Sequence, residues 1–296
     1  MSISDLKKQA ANSGVLCALH NAHLIKDARA HSEDRRDGKF HPSSISGCPT
    51  ATALDLLNLS EGTNTGHDAK SLRIFDLGTA IHRLLQGQYI QMGVVPYTTA
   101  TVDGKEVKVY LVEVPIDIAE WGMVGHVDAI VEIDGKRYVV EIKSVNSNRW
   151  AKMTGPEDHH RLQAACYVKG CEKLLNGSKD VIFIYYSKDT SEIKEYVVTV
   201  TDKEYNAVTN KREKITAMMT AYNTKGEIPA PSYEEANKPL CRYCAWKAKC
   251  HSTLDREAWI ASLKEKPRAV EAPKQADLKP RPAAPLPPRR LPTRSV

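Results

Sequence analysis

The chain has 296 residues, 42 Lys and Arg against 36 Asp and Glu, and a formal charge of +6. A chain this long can bury one large core or two small ones, and no uninterrupted apolar stretch approaches the ~18 residues of a membrane span. The charge is uneven: residues 264–296 hold nine basic side chains against three acidic ones, so the remainder is neutral. The same segment holds eight of the sixteen prolines and no aromatic residue. Such a composition cannot bury enough apolar surface to offset chain entropy, and the segment reads as a disordered, basic, proline-rich tail. Residues 1–42 read as a helical N-terminal segment and 43–263 as the folded domain. The first residues, MSISDLKKQAANSGVL, lack the pattern of a secretory signal. Seven cysteines is an odd count without disulfide-like spacing. A reducing cytoplasm is expected, where clustered cysteines are metal ligands before they are disulfides.

In chain order, Leu6 to Ala30 carries helix formers, and a Ser/Pro/Gly-rich loop from His41 to Gly47 precedes Cys48. Pro49 to Leu59 and Leu72 to Met92 read as helices, the second with Ile74, Leu77, Ile81, Leu84 and Leu85 on one stripe. The texture then changes to strands. Val94 to Val114 and Val124 to Val145 are β-branched runs, each folded back at an Asp-Gly pair, Asp103-Gly104 and Asp134-Gly135. A helix is expected from Glu157 to Leu175, strands at Val181 to Tyr186 and Lys194 to Val200, and a helix from Asp202 to about Tyr222.

If Asp134-Gly135 is a two-residue turn, Ile133 pairs with Lys136 and Asp128 lies opposite Glu141. Directly opposed residues on antiparallel strands have Cβ atoms ~4.5–5.5 Å apart, and like charges there are destabilising. A hard, oxygen-seeking cation such as Mg2+ or Mn2+ supplies the reason for such a pair. Lys143, two residues beyond Glu141, emerges on the same face, where it can orient a water or balance charge on a phosphate. Glu-x-Lys by itself is a weak pattern, since Glu106-Val107-Lys108 and Glu192-Ile193-Lys194 repeat it. Only the middle copy has an acid opposite. The other two read as solvated strand edges.

Cys241, Cys244 and Cys250 give C-x2-C-x5-C, three thiolates in a Lys-rich segment. A four-ligand site wants one more from Cys17, Cys48, Cys166 or Cys171. Cys166 and Cys171 lie on or beside the Glu157 helix and read as small buried hydrophobes, whereas Cys48 stands in a loop just before a helix.

Gly125-His126-Val127-Asp128 followed by Val140-Glu141-Ile142-Lys143 resembles the core motif of the PD-(D/E)XK nucleases, in their RecB-like branch. That branch adds a histidine on an earlier helix and Gln-x-x-x-Tyr on the following one, and Gly78-Thr-Ala-Ile-His82 and Gln163-x-x-x-Tyr167 match both. The resemblance implies an α/β restriction-endonuclease-like core with a mixed central sheet flanked by helices. It makes His82, Asp128, Glu141 and the main-chain carbonyl of Ile142 metal ligands. It makes Lys143 the assistant of the nucleophilic water, and Gln163 and Tyr167 organisers of the site and the DNA strand. One remote cysteine plus C-x2-C-x5-C resembles the iron-sulfur subset of that branch, which includes AddB-type helicase-nucleases and CRISPR-associated Cas-four-type exonucleases. Carried over, Cys48, Cys241, Cys244 and Cys250 ligate a 4Fe-4S cluster that staples segments 193 residues apart; Zn2+ is the alternative occupant.

The function so implied is Mg2+- or Mn2+-dependent hydrolysis of DNA phosphodiesters from DNA ends, in recombination, repair or CRISPR-type DNA processing. The expected partners are single- or double-stranded DNA, a single-strand annealing or CRISPR adaptation protein, and further copies of the chain; no membrane is expected. Two rival readings are a non-catalytic iron-sulfur DNA-end binder and a zinc-stapled DNA-binding regulator. With the body neutral, phosphates would be gripped locally by Arg149, Lys152 and Arg161 near the hairpin and by Lys247 and Lys249 near the cysteines. The tail would be a DNA tether, a partner-docking segment or a solubilising appendage.

Overall fold

The structure is a computed structural model and describes residues 14–34, 38–59, 68–232, 241, 244–251 and 253–264. The first expected helix is found as α1 (Val15–Asp34). The residues expected to begin it and the tail beyond Lys264 lie outside the described residues. Among the described residues no helix is long and apolar enough to cross a membrane.

Both Asp-Gly pairs form the expected turns. Asp103 and Gly104 have φ of 49° and 75°, and Asp134 and Gly135 51° and 76°, the two left-handed conformations a type I′ turn needs. Strand β1 (Tyr97–Val102) pairs with β2 (Lys105–Tyr110), and β4 (Met123–Ile133) with β5 (Lys136–Val145), in the registers that these turns dictate. The two hairpins have different fates. The β1-β2 hairpin is a separate two-stranded sheet, exposed along almost its whole length. The β4-β5 hairpin enters a five-stranded sheet of order β3-β4-β5-β6-β7, with β3 (Val112–Ile118), β6 (Asp180–Ser187) and β7 (Ile193–Thr199).

Neighbouring strands in that sheet are antiparallel except β5 and β6, which are parallel. A parallel pair needs a crossover, and the connection carries α5 (Ser147–Lys152) and α6 (Asp158–Gly170). Strand β6 is buried along nearly its full length and β5 through its centre, as expected of a parallel pair covered by helices. The sheet is therefore mixed and helix-flanked, the architecture anticipated for a restriction-endonuclease-like core. Helix α6 lies close on β3 because Gly170 has no side chain: a Cβ there would sit 2.7 Å from the Cβ of Ile116.

Two short helices, α2 (Pro42–Ile45) and α3 (Pro49–Leu56), flank Cys48, and α4 (Ala69–Gln91) packs on β4 and β5. The expected apolar stripe of α4 is only half buried. Ile81 and Leu85 enter the core, but Ile74 and Leu77 are 43% and 47% exposed. This first half of α4 meets α1 rather than the sheet, with Arg73 donating to Asn21. Gly78 lets α4 approach β5, since a Cβ there would lie 3.2 Å from Ser144 Oγ.

Helix α7 (Asp202–Lys225) starts with a Thr201/Glu204 capping box and packs on α3 and α6. Beyond it come α8 (Lys247–His251) and α9 (Thr253–Lys264). A second small core joins Leu54 and Leu59 to Trp246 and Trp259, and Trp246 Nε1 donates to Asp55 at 2.8 Å. Thr50 Oγ1 adds a 2.7 Å hydrogen bond to the carbonyl of Ala230. These contacts dock the Cys48 segment onto the C-terminal part of the chain.

Candidate active site

The β4-β5 register runs to Ala129↔Val140 and opens at the next position, where Asp128 and Glu141 stand. Asp128 is turned so that its side chain replaces the ladder: Oδ2 accepts from the Ile142 N–H at 2.7 Å. Its other oxygen, Oδ1, lies 3.0 Å from Nδ1 of His82 on α4, which leaves Nε2 as the remaining ring nitrogen. Burial alone would lower the His82 pKa, but the Asp128 hydrogen bond and charge, reinforced by Glu141, raise it above its ordinary value.

Glu141 is 1% exposed. One carboxylate oxygen, Oε1, pairs with Lys143 Nζ. The other, Oε2, is buried with no hydrogen-bond partner. Burial pushes the carboxyl up to about 7 and the Asp128 charge adds to this, against the opposing pull of Lys143. Nothing in folding rewards a buried, half-satisfied carboxylate beside a second one.

Lys143 Nζ also donates to Gln163 Oε1 at 3.0 Å, and Gln163 Nε2 donates to Tyr167 Oη at 2.8 Å. The four-residue spacing of Gln163 and Tyr167 on α6 makes this relay possible. Burial holds the Tyr167 hydroxyl neutral, far above the usual phenol range, and Glu141 pushes in the same direction. The structure thus brings His82, Asp128, Glu141, Lys143, Gln163 and Tyr167 into one connected network and places Ile142 within it.

Two residues in this network had no sequence motif. Gln86, one turn beyond His82, donates through Nε2 to the main-chain oxygen of Asp128 at 2.8 Å and to Glu113 Oε1 at 2.7 Å. The spacing of four from His82 was the available signal for Gln86; Glu113 had none.

Among the described residues, one group of three potential metal ligands has donor atoms within 4.8 Å of one another: Glu157, His159 and His160 at the start of α6. Their atoms are committed to protein contacts. Arg149 donates from Nε and Nη2 to the two Glu157 oxygens, and His160 Nδ1 is 2.8 Å from the Tyr185 hydroxyl. Burial takes the His160 pKa down to about 2. The cluster ties the loop after α5 to β6 and so fixes the start of the helix that carries Gln163. Of the arginines expected to grip phosphates, Arg149 pairs with Glu157 and Arg161 with Glu204.

The cysteines converge as well. Cys48, Cys241, Cys244 and Cys250 line one small cavity together with Thr50, Ser232, Lys247 and His251. Cys166 and Cys171 are 0% and 1% exposed on and beside α6, away from it. Burial raises the Cys244 pKa, and the neighbouring thiols of Cys48 and Cys241 raise it further. Lys211 Nζ donates to the carbonyls of Ser46 and Gly47 at 3.1 and 3.2 Å, holding a cation beside the loop that carries Cys48.

No curated protein sequence matches the chain. Among solved structures it is similar to SSO0001, at 18% identity and a TM-score of 0.44 over 77% of this chain and 94% of that one. It is also similar to the alkaline exonuclease LHK-Exo of Laribacter hongkongensis, at 16% identity and a TM-score of 0.41, covering 63% and 90% of the two chains. The complex of LHK-Exo with dAMP gives a TM-score of 0.38 at the same identity and coverage. The sequence profile of the PD-(D/E)XK nuclease superfamily matches residues 94–251, more than half of the chain. That span contains the opened hairpin with Asp128, Glu141 and Lys143, and the chain belongs to the PD-(D/E)XK nuclease superfamily.

Proposed function

We propose that the chain is a divalent-metal-dependent deoxyribonuclease of the RecB-like branch that degrades DNA from its ends. The observation that carries this reading is the orphaned, buried Glu141 Oε2 beside the Asp128 carboxylate. His82, Asp128 and Glu141 form a nitrogen-and-carboxylate set suited to Mg2+ or Mn2+, with the Ile142 carbonyl as the implied fourth ligand. When bound, such an ion supplies a Lewis acid for the phosphate and a more acidic water. The chain's own residues set the stage. His82 and the Ile142 N–H fix the Asp128 carboxylate. Lys143 neutralises Glu141, and its link to Gln163 keeps the ammonium in the site, where it would orient water against the phosphate.

The deciding experiment follows end-labelled DNA with Mn2+ for the wild type and Asp128→Ala. Release of label by the wild type and its loss in the variant is the expected result. Equal degradation by both would end the assignment of this site, and no degradation by either would favour a DNA-end binder.

We further propose that Cys48, Cys241, Cys244 and Cys250 hold a 4Fe-4S cluster as a structural staple. An all-thiol donor set in a shared cavity, with Cys48 and Cys241 raising the Cys244 pKa, supports a metal centre there. An anaerobically purified, colourless chain with stoichiometric zinc would replace the cluster with Zn2+.

A further inference from the structure

We propose that Gln86 and Glu113 are a positioning pair that fixes the main chain of Asp128, so that this carboxylate is held from its backbone as well as from its side chain. The inference rests on the nuclease reading of the site and adds to it two residues outside the family motif.

The β3-β4 register pairs Val112 with Ala129 and Val114 with Val127, and it skips Glu113 and Asp128 between them. The break coincides with Glu113, the second residue of β3, whose φ is 47°. This left-handed conformation is disfavoured for any residue with a side chain and persists where the surroundings enforce it, often at functional sites. At this interruption Asp128 has no partner residue in the register of either neighbouring strand. There Gln86 Nε2 donates to the Asp128 carbonyl at 2.8 Å, a side-chain hold on the main chain where the pairing breaks. The second proton on that nitrogen goes to Glu113 Oε1 at 2.7 Å. Both donors of the amide are thus used. Gln86 is itself 5% exposed and has little freedom to turn away.

The two holds come from one helix face. His82 and Gln86 are four apart on α4 and so share a face; the first takes the side chain of Asp128 and the second its main chain. With the Ile142 N–H on Oδ2, Asp128 is fixed at three atoms. A strand residue freed from its ladder would otherwise be the loosest part of the site. The Glu113 carboxylate, exposed at its edge, keeps Gln86 in its productive orientation.

The test uses the full-length chain as wild type, Gln86→Leu, Glu113→Ala and Glu113→Gln. Mn2+ alone is titrated calorimetrically, and amide exchange is followed at Ile142 with Ile184 on β6 as control. Turnover on end-labelled duplex is separated into kcat and KM. Gln86→Leu removes both donors at similar volume. It is expected to weaken Mn2+ binding by about 10- to 100-fold, the range for outer-shell partners of metal ligands. It should also speed exchange at Ile142 but not at Ile184 and lower kcat with KM for DNA unchanged. Glu113→Ala acts at an exposed site and should shift the same readouts in the same direction. Glu113→Gln keeps an acceptor oxygen and should restore Mn2+ affinity.

Wild-type Mn2+ affinity and Ile142 exchange in both Gln86→Leu and Glu113→Ala would overturn the proposal. So would Glu113→Gln binding Mn2+ as weakly as Glu113→Ala, since Glu113 would then be a ligand itself. A wild-type chain that neither binds Mn2+ nor cuts DNA would sink the nuclease reading, and the Ile142 exchange comparison would still decide the positioning claim.

Discussion

Lys143 is the counter-ion of Glu141: its ammonium pairs with Oε1 of a carboxylate two residues back on the same strand, while Oε2 of that carboxylate stays unbonded. Alternation along β5 puts both side chains on one face. The Lys143 ammonium therefore offsets the buried Glu141 charge in place, which keeps that charge tolerable in the folded chain.

This arrangement sets a pH dependence. Burial raises the Glu141 carboxyl from 4.5 to about 7, so between those values the native chain holds a proton that the unfolded chain has released. Stability of the metal-free protein should therefore fall as pH rises through that window, by an amount on the order of 1–3 kcal/mol. His82, also raised, contributes in the same sense. Glu141→Gln should flatten most of this slope in denaturant titrations from pH 4 to pH 8. An unchanged slope would show that Glu141 titrates normally.

Metal binding should show the opposite trend. Cations compete with protons for Glu141 and His82, so Mn2+ should stabilise the wild type more at pH 8 than at pH 6. Glu141→Gln should remove most of that gain, as read from Tm with and without Mn2+.

Lys143→Ala should lower kcat on DNA by about 100- to 1,000-fold, the range for losing one preorganised electrostatic group. Gln163→Ala should cost less, because it removes one hold on Lys143 and leaves the ammonium present. A Gln163 variant more damaged than the Lys143 variant would show that Gln163 acts on substrate directly.

Gly170→Ala should destabilise the domain by about 1–3 kcal/mol, since the new Cβ would meet Ile116 Cβ at 2.7 Å and force α6 off β3. Because α6 carries Gln163 and Tyr167, activity measured well below Tm should fall too. A variant with wild-type Tm would show that the helix can shift freely.

Cys48→Ser should abolish visible absorbance from a 4Fe-4S cluster. A cross-link over a loop this long is worth about 5 kcal/mol on loop entropy alone, so Tm should drop by roughly 10 °C or more. An equally stable, equally coloured variant would remove Cys48 from the ligand set.

The hairpin was legible because its rules are local. Two Asp-Gly turns set their own registers, and counting back from Asp134-Gly135 puts Asp128 against Glu141. The Glu106 and Glu192 copies of Glu-x-Lys lack an opposing acid, and both glutamates are exposed in the structure. The α4 stripe misled at Ile74 and Leu77, because periodicity marks which face is apolar and not how far along the helix a partner extends. Gln86 has only its spacing of four from His82 to mark it in the sequence, and Glu113 has nothing, for a different reason. One is an ordinary glutamine on a helix and the other an ordinary glutamate in a strand, and their meaning arises from a skipped ladder pair that no propensity predicts.

The sequence by itself determined the two Asp-Gly turns, the registers of their hairpins, the carboxylate pair and the C-x2-C-x5-C spacing, since each follows from neighbours within a few residues or from residue type. Tertiary structure decided the rest. It placed Cys48 in one cavity with Cys241, Cys244 and Cys250, away from Cys166 and Cys171, by docking α3 on Trp246 and Trp259. It paired Arg149 and Arg161 with Glu157 and Glu204, and it gave Asp128 a second hold from α4. The reason is physical: hydrogen-bond demand in a buried site is met by whichever donor packing brings near, and that donor can lie anywhere along the chain.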